Sequence, residues 1–177
     1  LTLTYHQKTE TGLIPQGHSL GFDQIILSEQ SPFSINELKS NHQPISVSEH
    51  ANLISVKVVD IEYQFDQYKG TIQQISKDGE PWLNQAADFN IWRAPLDNDS
   101  LMKAHWLAAG YDRATSRVYD YHLTKQESAV EIIFKLGLVA VSKARILTLH
   151  VVYRIEKNGL LHINIHAEKQ PHLPFLP

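Results

Sequence analysis

Apolar and polar residues alternate along most of this chain with a period of two, the pattern of β-strands that bury one face. The segment from residue 160 to 168 is the clearest case, because leucine, isoleucine and alanine there alternate with histidine, asparagine and glutamate. We expect one face of it to be buried and the other to be polar. The same pattern predicts strands over residues 1–5, 20–27, 53–59, 61–65, 71–76, 80–83, 116–124, 129–136 and 145–156.

Turn residues separate these segments. Asp78-Gly79 and Asn158-Gly159 are typical of tight hairpins. The only segment that predicts a helix spans Leu101 to Ala109, with Asp99 or Ser100 available to cap its first turn and Gly110 to end it. The sequence therefore predicts an all-β fold of antiparallel sheets packed face to face, with one short helix.

The composition changes between Ser28 and Pro44, where serine, asparagine, glutamine, proline and histidine crowd together. Such stretches are typical of exposed connections between domains. We predict a linker at residues 31–45, which separates strands at residues 1–30 from a larger unit at residues 46–177.

Charge and composition exclude several classes of protein. The 177 residues carry a formal net charge of −3 and no basic run, so nothing indicates a nucleic-acid surface. No cysteine is present, which excludes disulfides and thiolate zinc sites and fits a cytoplasmic setting. The N-terminus lacks a signal-peptide pattern, and no apolar run approaches about 18 residues. Both ends look cut, so we expect a fragment.

The most informative stretch runs from Phe89 to Asp99, Phe-Asn-Ile-Trp-Arg-Ala-Pro-Leu-Asp-Asn-Asp. Its apolar beginning predicts a strand up to Trp92, and Ala94-Pro95 then stops regular pairing. A strand that delivers an arginine and two carboxylates to a loop places charge at the end of a sheet, where binding groups are often carried.

This stretch also carries a resemblance. Residues 92–99, Trp-Arg-Ala-Pro-Leu-Asp-Asn-Asp, resemble the signature that opens the C-terminal β-sandwich of the large bacterial β-galactosidases, glycoside hydrolase family two. The similarity continues in order along the chain. It covers residues 17–27 (last strand of an immunoglobulin-like domain), 61–83 (start of the sandwich), 106–111 (a short helix and its glycine) and 161–168 with Pro174.

The resemblance implies strands of an immunoglobulin-like domain followed by the N-terminal half of a supersandwich-like, galactose mutarotase-like β-sandwich. It implies a parent enzyme that hydrolyses terminal β-galactosides such as lactose with retention of configuration. In the family, two glutamates of an α/β barrel do the chemistry, and no residue here matches either. We therefore expect no catalytic residue and no activity in this chain alone.

The resemblance also implies partners. These are the rest of the enzyme with its barrel, the galactoside substrate and further copies in a homo-oligomer. We expect no cofactor in this chain, because the Mg and Na ions that serve family active sites would be held elsewhere. Family members carry a longer loop after the signature, whereas Asp99 here runs almost directly into the helix.

Four polar residues carry over from the signature as residues that shape the sugar site: Arg93, Asp97, Asn98 and Asp99. An arginine fork can bind one carboxylate in bidentate fashion and hold the loop rigid. The other carboxylate and the Asn98 amide would then face a sugar hydroxyl. The alternative is that the aspartates only form a turn and cap the helix. Because a retaining pair needs carboxyls about 5–5.5 Å apart, we do not propose them as catalysts.

Tryptophans and histidines give weaker indications. Trp82 and Trp106 could stack on a sugar ring, although large aromatics are more often core residues, as we expect for Trp92 and for Trp82. Trp106 lies on a short helix after a polar loop, a position that is often near the surface. Among ten histidines, His162 and His166 share a strand face but would lie about 13 Å apart, too far to hold one zinc. We expect no metal site. A free-standing carbohydrate-binding module and a purely structural interaction domain remain the alternatives to a β-galactosidase segment.

Overall fold

The computed structural model describes residues 1–27 and 44–177. They form two compact units, one within each of these ranges. The first unit is a two-stranded antiparallel sheet of β1 (Thr2–His6) and β2 (Ser19–Gln24), and its apolar side chains are exposed. The predicted linker at residues 31–45 lies almost wholly outside the described residues. The immunoglobulin-like assignment of the first unit remains a prediction.

The second unit contains two antiparallel sheets whose strands follow chain order. The first sheet comprises β3 (Ser46–His50), β4 (Leu53–Val58), β5 (Ile61–Asp66), β6 (Thr71–Lys77) and β7 (Glu80–Pro81). The second comprises β8 (Thr115–Lys125), β9 (Ala129–Val139), β10 (Leu147–Glu156) and β11 (Leu161–Lys169). Helix α1 (Ser100–Ala109) lies between them in sequence. The predicted antiparallel β-sandwich with one short helix is confirmed for the described residues.

Alternate residues of the two sheets form one shared core. Phe65 of β5 and Tyr153 of β10 contact each other with ring centroids 4.8 Å apart. Tyr153 donates its hydroxyl hydrogen bond to the Gly70 carbonyl at 3.0 Å, and Tyr63 donates to the Gly159 carbonyl at 2.6 Å. Burial raises the pKa of Tyr153 to about 12, so this hydroxyl keeps its proton and remains a donor. Two tyrosines thus join the sheets by directional bonds inside an apolar layer.

Three sequence predictions need correction. Strand β3 was missed because Ser46–His50 contains a single apolar residue, Val47. The predicted strand from Phe89 to Trp92 is irregular, because the side-chain amide of Asn90 takes both backbone groups of Trp92. No face of β11 is fully buried, since β11 is the edge of its sheet and Ile163 and Ile165 stay 50% and 51% exposed.

The helix ends as predicted. Gly110 follows its last residue with φ of +82°, and its backbone N–H closes on the carbonyls of Leu107 and Trp106. Trp106 is the buried residue of α1 and belongs to the same core cluster as the sheets. Within residues 1–27 and 44–177, no helix has the length and apolar character that a membrane crossing requires.

The turn between β5 and β6 shows how closely the core approaches the backbone. The buried Asp66 carboxylate accepts the backbone N–H groups of Tyr68 and Lys69, at 2.7 and 3.0 Å. Gly70 follows with φ of +68°, and a Cβ atom built there would lie 2.6 Å from Leu136 Cδ2. This turn therefore needs glycine for its backbone conformation and for its packing.

We expect Gly70→Ala to destabilise the chain more than Gly79→Ala, a matched control with φ of +84° and nothing within 4 Å of a built Cβ. Both variants strain a left-handed backbone by about 1–2 kcal/mol. Gly70→Ala alone overpacks the core, for a further cost of about 1–3 kcal/mol. Urea unfolding measures both, and equal losses would show that the contact with Leu136 carries no strain.

Candidate functional site

The loop from residue 93 to residue 99 is held by one ion pair. Arg93 donates from Nη1 to Asp99 Oδ2 at 2.6 Å and from Nη2 to Asp99 Oδ1 at 2.9 Å, the bidentate arrangement that guanidinium and carboxylate favour. Asp99 Oδ2 also accepts the backbone N–H of Leu96 at 2.8 Å. The predicted bidentate pair is confirmed, and its carboxylate is that of Asp99.

The hydrogen bonds of this pair shift the pKa values of both of its members. The hydrogen bonds from Arg93 and then from the Leu96 backbone hold the pKa of Asp99 below its usual value. The carboxylate of Asp99 raises the pKa of Arg93 in return, mainly through the same hydrogen bonds. The two groups therefore keep opposite charges at neutral pH, which favours the loop conformation that their hydrogen bonds close.

The capping prediction for α1 is wrong. Asp99 is the residue before the first turn of the helix, but its side chain makes no capping hydrogen bond. Because its oxygens already accept hydrogen bonds from Arg93 and Leu96, the carboxylate closes the loop that precedes the helix instead. A single turn of 3-10 helix at Asp97–Asp99 leads directly into α1.

Trp106 contacts the arginine, and Trp92 packs against Trp106. The Arg93 guanidinium lies 5.6 Å from the centroid of the Trp106 ring, within the range of a cation–π contact. Trp92 meets Trp106 edge to face, with centroids 6.4 Å apart and planes at 89°. The sugar-stacking hypothesis for Trp106 is corrected, because this residue is only 3% exposed and its ring is already covered.

The same helix also secures the end of the chain. Trp106 donates its indole N–H to the Phe175 carbonyl at 2.8 Å, and the Tyr111 hydroxyl donates to the Pro174 carbonyl at 2.7 Å. Sequence reasoning missed this connection because the partners are more than sixty residues apart and use backbone carbonyls. The sequence offers only one signal for it, which is that the N–H of a tryptophan and the hydroxyl of a tyrosine find hydrogen-bond partners when these residues are buried.

Asp97 and Asn98 remain as the exposed polar groups of the loop. Within the described residues, neither side chain makes a hydrogen bond or an ion pair, whereas Asp99 next to them is fully engaged. The four candidates therefore form two groups. Arg93 and Asp99 bind each other, whereas Asp97 and Asn98 are exposed and could donate to or accept from a hydroxyl-rich ligand.

Trp82 is the exposed tryptophan of the set, at 59% exposure, so the core interpretation does not hold for it. Lys77 Nζ lies 5.7 Å from the centroid of its ring and so covers part of one face. The ring follows the short strand β7 at the edge of the first sheet. It can offer one face to a planar or sugar partner.

No acid pair lines the cavity beside α1. This cavity has a volume of about 480 Å³ and is walled by the helix and residues 169–175, with His105 and His172 among its lining residues and no carboxylate. Nor do the described residues contain a group of three or more potential metal ligands. His162 and His166 instead contact glutamates, at 3.1 Å from Glu156 and 3.4 Å from Glu168.

Fold and site together define an antiparallel β-sandwich segment that carries a rigid loop with outward polar groups. Residues 57–177 match the family model described as beta galactosidase small chain, and the chain belongs to that family. Over its whole length the chain is 38% identical to a beta-galactosidase of Actinobacillus pleuropneumoniae, and over 99% of its length it is 31% identical to one of Staphylococcus xylosus. It is 26% identical to beta-galactosidase 2 of Enterobacter cloacae over 98% of its length. The chain spans 18% of the length of each of these relatives.

We expect Asp99→Asn to lower the free energy of unfolding at neutral pH and Asp97→Asn to leave it nearly unchanged, because only Asp99 is paired. The folded-state pKa of Asp99 is depressed, so its stabilising effect is complete above about pH 3.9 and is lost as the pH falls through the folded value. Urea unfolding at a series of pH values should show the difference between the parent chain and Asp99→Asn shrinking on acidification. A difference independent of pH would contradict the ion-pair assignment.

Proposed function

We propose that this chain is a non-catalytic β-sandwich region that forms one wall of the sugar site in a retaining β-galactosidase. The parent enzyme would hydrolyse terminal β-galactosides such as lactose. The observation that carries the proposal is the locked Arg93–Asp99 pair, which leaves Asp97 and Asn98 outward on a rigid loop. Carboxylate and amide groups are the usual partners of sugar hydroxyls, and rigidity keeps them in register with a substrate. Membership of the small-chain family supports the same interpretation.

The catalytic groups belong, on this proposal, to the rest of the enzyme. A retaining mechanism uses two carboxyl groups about 5–5.5 Å apart, one as acid and base and the other as nucleophile. Arg93 and Leu96 engage Asp99 on both oxygens, so it suits neither role. Asp97 and Asn98 would orient hydroxyls of the bound sugar while the barrel of the parent cleaves the glycosidic bond.

Exposed apolar surface supports a larger assembly. Ile163 and Ile165 on the edge strand β11 are about half exposed, at 50% and 51%, and Phe22 in the first unit is about two-thirds exposed, at 66%. Edges and apolar faces of this kind are normally covered by further polypeptide. We propose the remainder of the β-galactosidase as that partner, within a homo-oligomer in the cytoplasm.

A free-standing carbohydrate-binding module is the second candidate, and the exposed ring of Trp82 is the observation that favours it. Such modules present aromatic platforms to pyranose rings. Trp82 is the one exposed tryptophan among the described residues, and Lys77 covers part of one face of its ring. We therefore favour the wall of the larger enzyme.

We expect the pure chain to show no turnover of nitrophenyl β-galactoside and no saturable binding of galactose, because one wall of a pocket gives few contacts. Enzyme assay and NMR titration measure the two properties. Saturable shifts centred on Trp82, abolished by Trp82→Ala, would favour the binding module. Turnover that disappears in Asp97→Asn would overturn the non-catalytic role.

In the full-length enzyme, we expect the pair of changes Asp97→Asn and Asn98→Ala to raise KM by about tenfold with little change in Tm. Lost hydrogen bonds to substrate are each worth about 0.5–1.5 kcal/mol, and neither side chain supports the fold. Glu127→Gln, an exposed acid in the turn before β9, is the control for lost charge. Kinetics with lactose measure the effect, and an unchanged KM would remove both residues from the sugar site.

A further inference from the structure

A pocket of about 540 Å³ opens at one end of the second unit, lined by residues other than those of the signature loop. Three segments form its walls: the turn between β5 and β6, the start of β8, and the end of β9 with the turn that follows. The pocket therefore brings together residues of both sheets that are up to about seventy positions apart in sequence.

The charge of this pocket has one sign. Lys69, Arg117 and Lys143 line it, and no aspartate or glutamate does. Among the described residues, none of these three cations has a carboxylate within 4.0 Å. All three are exposed residues, and a bound anion would supply the counter-charge that the lining lacks. The chain as a whole is acidic, at −3, so the local positive charge is not a feature of its composition.

The nearby carboxylates are already engaged. Asp66, next to the turn that carries Lys69, accepts the backbone N–H groups of Tyr68 and Lys69 and is 8% exposed. Asp112 pairs with Arg113 at 2.9 Å. Neither of them lines the pocket, so neither neutralises it from inside.

Hydroxyl groups accompany the cations. Thr115, Ser116 and Ser142 line the same pocket. Ser116 is 8% exposed, and its Oγ has no hydrogen-bond partner within the described residues. That oxygen has almost no accessible surface, so the hydroxyls that a ligand in the pocket can reach are those of the exposed residues Thr115 and Ser142.

The backbone of the pocket is held in place. The Val118 N–H donates to the Tyr68 carbonyl at 2.7 Å and ties the β5–β6 turn to β8. Across the pocket, the Lys143 N–H donates to the Ala140 carbonyl at 3.1 Å and closes the turn after β9. The walls are therefore fixed before any ligand arrives, which reduces the entropic cost of binding.

We propose that this pocket binds a small oxyanion such as inorganic phosphate. Lys69, Arg117 and Lys143 supply charge-assisted hydrogen bonds to the oxygens, and the hydroxyls of Thr115 and Ser142 add two further donors. Arginine suits a bidentate contact with an oxyanion, and the lysines act as point charges. This site is independent of the sugar-site proposal, since no residue is shared. A free phosphate and a carboxylate of another polypeptide offer the same chemistry, and the test separates them.

The test titrates the whole chain with inorganic phosphate, and in a parallel arm with acetate, at a constant ionic strength of about 0.15 M set with chloride. We expect saturable amide shifts in the ¹H–¹⁵N spectrum, confined to residues 68–69, 115–117 and 139–143. Phosphate should bind more tightly than acetate, because it offers more charge and more acceptor oxygens.

A double variant, Arg117→Gln with Lys143→Gln, should weaken phosphate binding at least about tenfold, since two charge-assisted bonds are lost. The matched control is Lys125→Gln with Lys135→Gln, which removes the same charge from exposed positions outside the pocket and should leave the affinity unchanged. Non-saturating shifts, the same shifts with chloride, equal loss in the control, or tighter binding of acetate than of phosphate would each overturn the proposal.

Discussion

The apolar rows of β9 and β10, packed against the facing rows of β4 to β6, hold the second unit together. These rows contain the most completely buried side chains of the described residues, such as Phe134, Leu136 and Phe65. Burying one such side chain contributes about 1.5–3 kcal/mol, so a shared layer of many outweighs any single polar contact. Trp106 and Tyr111 belong to this same cluster, which means that the helix is anchored by the burial that pairs the sheets.

The signature loop depends on that anchored helix. Trp106 is fixed in the core, and its ring supports the guanidinium of Arg93 at 5.6 Å. Arg93 in turn fixes Asp99, and Asp99 closes the turn through the backbone of Leu96. Each contact alone is modest at a partly exposed site. Taken together, this series of contacts from the core outward explains how a short irregular segment can hold Asp97 and Asn98 in a defined position.

The sequence predicted most of the architecture, because period-two alternation and turn residues are local signals. Strands β4 to β10 lie within a few residues of their predicted bounds, and the helix ends at the expected glycine, Gly110. The bidentate pair of Arg93 was also foreseen, since one arginine faced two nearby carboxylates in sequence. These features need only neighbouring residues to specify them.

The errors have two kinds of cause, a local side-chain contact in one case and contacts between distant residues in the others. Asn90 replaced the expected strand pairing with its own side chain, which no periodicity reveals. Trp82 and Trp106 exchanged their expected environments, because burial depends on what the rest of the chain covers. The apolar face of β11 looked like a core face by pattern, and its edge position follows only from the sheet order.

The state of Asp99 bears directly on the chemistry of the loop. A general acid must hold its proton near the working pH, and a nucleophile must present an unengaged oxygen. Arg93 and the Leu96 backbone keep Asp99 ionised, and they occupy both of its oxygens. The contacts that make the loop rigid thereby make its most engaged carboxylate unsuitable for catalysis. A loop built this way leaves Asp97 and Asn98 as its unpaired polar groups, and we propose accordingly that the bond-breaking groups belong to the rest of the β-galactosidase.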